Sequence, residues 1–216
     1  HPGNLFITPQ KDFTGKVRPV LTLLDHGLYQ PLNEDIRIHY SYLWKGILTR
    51  NENMIQEAAT NLGCGKFYEL LAMMVSRKEY KDIMDSKEKD FNKRLRLPNK
   101  EEQKEMMGKM TPEILKDVTV LFSEMNKEVL LLFKVNDFIR AITMRLGYPV
   151  KQYEIMAKYC FDTVEQTEID KNTGFSQKFK FWLQRSKTIL AFKIYGFYYS
   201  FLSIFRQPEV PDDMLI

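Results

Sequence analysis

Apolar residues recur with helical spacing over most of the chain after Gly27. In the clearest case they are separated by four, three, one and three positions, at Ile36, Tyr40, Leu43, Trp44 and Ile47. This spacing places them on one face of an α-helix. Asn33 is a suitable amino-terminal cap, and two acidic residues follow it in the first turn. We therefore predict a helix that begins after Asn33 and places Trp44 in the core.

Similar patterns predict more helices downstream. One predicted helix spans about 53–62 and is closed by Gly63 in a left-handed conformation. Others span 66–76 and about 151–168. Between these two, one helix starts at Thr111-Pro112 and a later one continues to Leu146. Two of them have faces that we expect to be buried: Phe67, Leu70, Leu71 and Met74 in one, and Ile114, Leu115, Val118, Leu121, Phe122 and Met125 in the other. The fold class predicted is mainly α.

The start of the chain has a different pattern. Leu5–Thr8 and Val20–Leu24 are apolar runs of strand length, and the polar segment between them contains Pro9, Pro19 and Thr14-Gly15. Two strands joined by a short loop most simply form an antiparallel hairpin. We therefore predict one β-hairpin ahead of the helices.

The hairpin would bring Asn4, before its first strand, beside Asp25, after its second. An amide oxygen and a carboxylate are ligands that suit Mg²⁺, which takes few carboxylates and leaves other positions to water and phosphate. Gly3 and Gly27 would let the backbone approach closely at both ends. A second interpretation is structural, with Asn4 capping a turn and Asp25 capping the next helix, because both residue types are common in turns.

Residues 188–205 form an aromatic-rich segment in which Lys193 is the only charged residue. Its length approaches that of a membrane span. The central lysine and tyrosines, with flanking cations, fit an interfacial helix as well. Three interpretations therefore remain: a buried or partner-facing helix, an interfacial membrane helix, and a true span. The segment predicts a partner that is either membrane lipid or protein.

Residues 77–105 are rich in charge and poor in apolar side chains. A basic cluster, 93–96, could contact nucleic acid or lipid headgroups, but acidic residues at 82, 85, 88 and 90 dilute it. A solvated insertion or exposed helix is the preferred interpretation.

Further on, Asn136, Asp137 and Arg140 are polar residues in an apolar helix. They form either a buried polar strut under an active site or a stripe that faces solvent.

Composition narrows the class of protein. The chain has 216 residues, 44% of them hydrophobic, which is enough for one domain with its own core. A net charge of +4 spread over 28% charged residues argues against nucleic acid as a partner. Cys64 and Cys160 are far apart and have no metal-ligand spacing, so a reduced interior is expected.

The sequence His1-Pro2-Gly3-Asn4, followed by Leu23-Leu24-Asp25-His26-Gly27-Leu28-Tyr29, resembles the catalytic and metal-binding loops of the aarF-domain (UbiB/ADCK-type) atypical kinases. The resemblance continues through Tyr40–Trp44 and Lys134–Arg140. It implies that Asn4 and Asp25 hold Mg²⁺ at the phosphates of ATP, as the loop Asn and the metal-binding Asp of protein kinases do. His26 stands where Phe is usual.

The same resemblance implies a fragment. The catalytic Asp would precede Asn4 by five positions, before His1, and the ATP-binding Lys with the whole amino-terminal lobe would lie further upstream. We interpret residues 1–216 as the carboxy-terminal part of a kinase-like domain with a helical extension over about 175–216. The parent would be a mitochondrial Mg-ATP-dependent kinase or ATPase linked to lipid or quinone homeostasis. The alternative is a non-catalytic helical scaffold or membrane-associated interaction module.

Overall fold

The computed structural model describes residues 2–25, 27, 29–85, 104–105, 108, 111–145, 149–170 and 174–205. Its strands and helices confirm a mainly α fold with one β-hairpin. After a 3-10 turn at Pro2–Asn4, the elements are β1 Leu5–Lys11, β2 Val17–Leu23, α1 Glu34–Thr49, α2 Glu52–Asn61, a 3-10 turn at Gly65–Phe67, α3 Tyr68–Ser76, α4 Tyr80–Met84, α5 Pro112–Glu124, α6 Lys127–Arg145, α7 Pro149–Asp170 and α8 Phe175–Phe205.

The hairpin is longer than predicted. β1 and β2 pair antiparallel from Leu5 opposite Leu23 to Lys11 opposite Val17, so Pro9 and Pro19, assigned to the loop from sequence, face each other within the ladder. Both strands of a two-stranded ribbon are edge strands, which tolerate proline. The turn is closed by Asp12, whose carboxylate accepts hydrogen bonds from the backbone of Thr14 at 2.8 Å and of Lys16 at 3.1 Å.

Local capping signals set the boundaries of the first helices. The Asn33 side chain accepts a hydrogen bond from the Asp35 amide at 2.9 Å, and Asn51 caps α2 through the Met54 amide at 3.1 Å. Gly63 follows α2 with a φ of 81°, the left-handed conformation predicted for it. α5 begins at the Thr111-Pro112 signal. These boundaries confirm the sequence predictions for 33–63 and for residue 111.

α1 is the centre of the core. Trp44 is 1% exposed, and α1 packs against α2 on one side and α7 on another. The α1–α2 crossing is close, since a Cβ placed on Gly46 would lie 2.8 Å from Ile55 Cγ1. Cys64 and Cys160 are both buried and free. The main core residues are Ile36, Leu43, Trp44, Ile55, Ala59, Leu71, Leu121, Val129, Ala157, Phe161 and Phe192.

Two predicted apolar faces are buried only in part. On α5, Leu121 and Met125 are in the core, whereas Ile114, Leu115 and Phe122 are exposed. In the 66–76 segment, which starts with a 3-10 turn, Leu71 is fully buried, but Phe67, Leu70 and Met74 are half-buried. Helical periodicity gives the face of a helix that is apolar, but burial depends on how much of that face a neighbouring element covers.

The polar residues of α6 connect it to two other helices. Arg140 is buried, donates to the Val75 carbonyl of α3 at 3.1 Å, and pairs with Asp137 at 3.4 Å. Asn136 donates to the Tyr40 hydroxyl of α1. Asp137 is exposed and also pairs with Arg77. The strut interpretation therefore describes Asn136 and Arg140, and the solvent-facing interpretation describes Asp137.

α8 extends the predicted aromatic segment at its amino-terminal end. It starts at Phe175, buries Phe192 completely, and leaves Leu190, Ile194 and Phe197 exposed. Within the described residues, no helix has the length and apolar character that crossing a membrane needs. The basic cluster at 93–96 lies outside the described residues.

Candidate functional site

The hairpin brings Asn4 and Asp25 together at its open end. The Asn4 carbonyl accepts a hydrogen bond from the Leu24 amide at 2.8 Å, which extends the β1–β2 ladder by one step. Asp25 follows directly, and the Asn4 side-chain Nδ2 donates to Asp25 Oδ2 at 3.3 Å. The side-by-side placement inferred from the strand pattern is thus present in the structure.

The second oxygen of Asp25 holds the chain immediately after it. Its Oδ1 accepts a hydrogen bond from the Gly27 amide at 2.8 Å. Gly27 has a φ of 51°, and a Cβ there would meet nothing within 4 Å. Glycine is therefore needed at this position for backbone conformation and not for close approach, which corrects the sequence interpretation of Gly27.

The two carboxylates of the hairpin are in different environments. Asp12 accepts hydrogen bonds from two backbone amides, the Thr14 hydroxyl and Arg18 Nε, and these contacts lower its pKa, with the Thr14 hydroxyl first. Among the described residues, Asp25 receives hydrogen bonds from Asn4 and Gly27 alone and is exposed to solvent, while Asn4 is half-buried. Asp12 is thus committed to the turn, whereas Asp25 retains capacity for another ligand.

Asn4 and Asp25 are the types of ligand that a hard divalent cation such as Mg²⁺ prefers, and they could form part of a site that water and phosphate complete. The 3.3 Å contact joins Asn4 Nδ2 to Asp25 Oδ2, so a cation shared with Asp25 would take the Asn4 Oδ1 oxygen after the amide group turns over. Within the described part of the chain, no group of three or more His, Cys, Asp or Glu side chains could hold a metal ion. Asn4 and Asp25 could therefore supply two ligands, and water and phosphate would supply the others.

The open end of the hairpin also exposes apolar surface. Phe6 is 47% exposed and Leu5 is half-buried, next to the contact between Asn4 and Asp25. Exposed strand residues of this kind are typical of a surface that another element covers.

Lys45 is a chemically distinctive residue that the sequence did not single out. It is 1% exposed, and its ammonium group lies over the Phe161 and Phe181 rings of α7 and α8. Burial lowers the pKa of Lys45 to about 8, and the Glu168 and Glu165 carboxylates partly oppose that shift. No local pattern could reveal this residue, because its environment is built by three helices that are distant in sequence.

A cleft of about 490 Å³ lies between α1 and α7 and is also new relative to the sequence predictions. Arg37, one of its lining residues, donates to Thr163 at 3.0 Å and to Glu34 at 2.9 Å. Its walls carry charged and hydroxyl side chains of both helices. The contacts of Arg37 bridge the two helices, and the cleft has no arrangement of groups that points to a reaction.

Comparison with known proteins shows what this part of the chain is similar to. Residues 1–59 match the ABC1 atypical kinase-like domain, and this segment contains Asn4, Asp25, the hairpin and α1. No solved structure matches the chain.

Curated relatives match over much more of the chain. A probable serine/threonine-protein kinase of Dictyostelium discoideum is 26% identical over 203 residues, which cover 94% of this chain and 28% of the relative. An AarF domain-containing kinase 1 of Drosophila melanogaster is 28% identical over 211 residues, covering 94% of this chain and 38% of the relative. An AarF domain-containing protein kinase 1 of Xenopus laevis is 29% identical over 147 residues, covering 68% of this chain and 26% of the relative.

The chain thus spans between about a quarter and two fifths of the length of these relatives. The family match and the relatives agree with the resemblance carried by the loops around Asn4 and Asp25. The chain is thus similar to the ABC1, or AarF-domain, family of atypical kinase-like proteins.

Proposed function

We propose that this chain supplies the Mg²⁺-binding side of the nucleotide site in an ATP-binding atypical kinase-like protein. The observation that carries the proposal is the contact between Asn4 and Asp25 at the open end of the hairpin, inside the segment that matches the family. A carboxylate and an amide held side by side can present two oxygens to one cation.

The chemistry divides between the two residues. Bound Mg²⁺ would neutralise charge on the nucleotide phosphates. Asp25 would supply the negative charge that attracts the cation, and Asn4 a neutral oxygen that fixes its position. The Gly27 amide orients the Asp25 carboxylate by holding Oδ1, and the Leu24–Asn4 hydrogen bond fixes the distance between the two residues.

The activity of the whole protein is a wider part of the proposal. Two of the relatives described above are named as AarF-domain kinases and a third as a probable serine/threonine-protein kinase. We infer that the remaining kinase machinery, including a catalytic Asp, an ATP-binding Lys and an amino-terminal lobe, is supplied by sequence outside residues 1–216. A phosphoryl-transfer or ATPase reaction, a mitochondrial location and a role in lipid or quinone homeostasis follow from the family resemblance as predictions.

The metal site can be tested on the chain itself. In an NMR titration with Mn²⁺ as a paramagnetic substitute for Mg²⁺, the amide signals of Asn4, Leu24 and Gly27 should broaden first. Asp25→Ala should remove this broadening, and Asp117→Ala, which deletes an exposed carboxylate on α5, should not. Equal broadening in the Asp25→Ala protein would refute the assignment of the site.

The nucleotide role requires the complete protein. There, Asp25→Asn should abolish Mg²⁺-dependent ATP binding or hydrolysis with little change in folding, because an amide cannot replace the charge of the carboxylate. Asn4→Ala should have a smaller effect on nucleotide binding, because the Asn oxygen is neutral. ATP hydrolysis at the parent rate in Asp25→Asn would show that Asp25 is not a metal ligand.

A second candidate function is a non-catalytic interaction module. The observation that favours it is the row of exposed apolar side chains on α8, which the nucleotide site does not use. If the complete protein bound no nucleotide in the presence of Mg²⁺, this function would become the better description of the chain.

A further inference from the structure

α8 carries two faces of opposite character. One face packs on α7 and the core: Phe192 is fully buried, and Arg185 pairs with Asp162 and with Glu165, the latter at 3.3 Å. The other face is exposed and apolar, and we call it the apolar stripe. It consists of Phe175, Phe179, Trp182, Leu190, Ile194 and Phe197.

The apolar stripe is continuous along the helix. Its members are separated by four, three, eight, four and three positions, so they lie on the same side of the helix. Phe175 is 86% exposed and Phe197 is 77% exposed, and the Phe179 and Trp182 rings stack with their centroids 5.8 Å apart. Exposed apolar rows of this length usually mark an interaction surface.

The charge on this helix has one sign. The sequence of α8 contains no acidic residue between Phe175 and Phe205. Its basic residues include Lys180 and Lys187, both exposed, which lie beside the stripe on the helix surface, and Lys193, also exposed, which lies within it. Arg185 is turned inward onto acidic residues of α7, so the outward-facing charge is carried by lysines.

We propose that the apolar stripe docks α8 onto the surface of an anionic lipid bilayer, with the helix lying in the interface. The aromatic side chains would enter the boundary between headgroups and acyl chains, where Trp and Phe are favoured. The lysines would reach the headgroups while their methylene stems stay along the apolar surface.

The lysines of α8 favour a lipid bilayer over a protein as the partner that covers the apolar stripe. Cores of protein interfaces are depleted in Lys, because burial removes the ammonium group from water. Lys193 lies inside the stripe, four positions before Phe197 and three after Leu190. A protein surface that covered Leu190 and Phe197 would cover Lys193 as well, whereas a lipid headgroup layer can accept its charge.

The binding test uses the chain of residues 1–216 in a vesicle co-sedimentation experiment. Vesicles of phosphatidylcholine alone are compared with vesicles that also contain phosphatidylserine. Partitioning onto the anionic vesicles should be at least tenfold stronger and should weaken as salt is added. Lys180→Glu, Lys187→Glu and Lys193→Glu in one protein should reduce it by about 100-fold or more, since each surface lysine contributes roughly a factor of five.

A matched charge control is available on other helices. Lys116, Lys127 and Lys134 are exposed on α5 and α6, and changing all three to Glu alters the net charge equally. This control protein should retain most of the binding of the parent. A loss as large as that of the α8 variant would mean that overall charge and not the stripe controls binding, and the proposal would be wrong.

Tryptophan fluorescence reports on the stripe directly. The chain has two tryptophans, of which Trp44 is buried and Trp182 is 50% exposed. Anionic vesicles should shift the emission to the blue because Trp182 enters an apolar layer. In Trp182→Phe the shift of the emission should disappear, while most of the vesicle binding should remain. This result would show that the fluorescence change comes from Trp182 on α8 and not from Trp44.

Two results would overturn the proposal. One is the absence of binding to phosphatidylserine vesicles by a protein whose circular dichroism shows it to be folded. The other is a parent protein that binds no vesicles and sediments as a dimer, when the double substitution Phe179→Ser and Phe197→Ser converts that dimer to a monomer. This result would assign the stripe to a second copy of the chain.

Discussion

The ammonium group of Lys45 lies 4.1 Å from the centroid of the Phe181 ring. Lys45 belongs to α1 and Phe181 to α8, and the Phe161 ring of α7 lies 5.4 Å away on the same ammonium group. A cation over aromatic faces is attracted by their negative electrostatic potential. The contact therefore joins the helix at the centre of the core to the helix that carries the apolar stripe.

The pKa of Lys45 predicts a pH-dependent stability. In the folded chain burial lowers this pKa to about 8, against 10.5 in the unfolded chain, so between these values the unfolded state binds more protons. The contribution of Lys45 to the free energy of unfolding therefore rises with pH across that window. Lys45→Met lacks this effect. We therefore expect the parent to gain up to about 3 kcal/mol of stability relative to Lys45→Met between pH 7 and pH 10.5.

Denaturant unfolding at a series of pH values measures this difference. The tyrosines and cysteines are the same in both proteins, so the effect of their ionisation on stability cancels in the difference. Lys116→Met, at an exposed position on α5, should give a difference that does not change with pH. A flat profile for Lys45→Met would mean that the Lys45 ammonium group is not desolvated in the folded chain.

The close approach of α1 and α2 makes a second prediction. A Cβ at Gly46 would lie 2.8 Å from Ile55 Cγ1 and 3.1 Å from the Ile55 backbone nitrogen. Gly46→Ala should gain about 1 kcal/mol of helix propensity and lose more through overpacking, with a net destabilisation of about 1–2 kcal/mol.

Gly196 is the matched control for this substitution. It lies in α8, and a Cβ there would meet nothing within 4 Å. Gly196→Ala should therefore show the propensity gain alone, roughly 0.5–1 kcal/mol. Thermal or urea unfolding of both variants gives the comparison, and stabilisation by Gly46→Ala would contradict the tight α1–α2 packing.

The buried Arg140 gives a third prediction. Its charge is balanced by Asp137, 3.4 Å away, and by the Val75 carbonyl. Asp137→Ala should destabilise the chain by about 1–3 kcal/mol, because a buried cation then loses its counter-ion. In an Arg140→Met background the same substitution should have a much smaller effect. Urea unfolding of the four proteins of this double-mutant cycle measures the coupling, and equal effects in both backgrounds would mean that the pair is not coupled.

Structural features that depend on a few neighbouring residues could be predicted from sequence. The Asn33 cap, Gly63 and the Thr111-Pro112 start act over one helical turn, and the structure has each of them as expected. The proximity of Asn4 and Asp25 is also local, because strand pairing alone brings the ends of a hairpin together.

Features that depend on distant parts of the chain could not be predicted in this way. Ile114 and Leu121 are seven positions apart and therefore lie on the same side of α5, yet only Leu121 is covered by the core. Lys45 follows Trp44 in a helix and has no distinguishing neighbour, and its environment depends on Phe181, 136 positions later.

The last prediction is that residues 1–216 alone bind Mg²⁺-ATP weakly and do not transfer its phosphoryl group. Catalysis of this type is largely the positioning of reactants and the stabilisation of charge around bound phosphates. Among the described residues, Asn4 and Asp25 offer one exposed carboxylate and one amide, and no larger group of metal ligands lies near them to enclose the phosphates.

Isothermal titration calorimetry with Mg²⁺-ATP and a phosphate-release assay on the purified chain test this prediction. We expect a dissociation constant above about 1 mM, since a few hydrated contacts provide little more than about 4 kcal/mol of binding free energy. Asp25→Ala should weaken this titration further, because the charged metal ligand is lost. Micromolar, Mg²⁺-dependent affinity, or turnover that Asp25→Ala removes, would mean that these 216 residues form an active site without any further lobe.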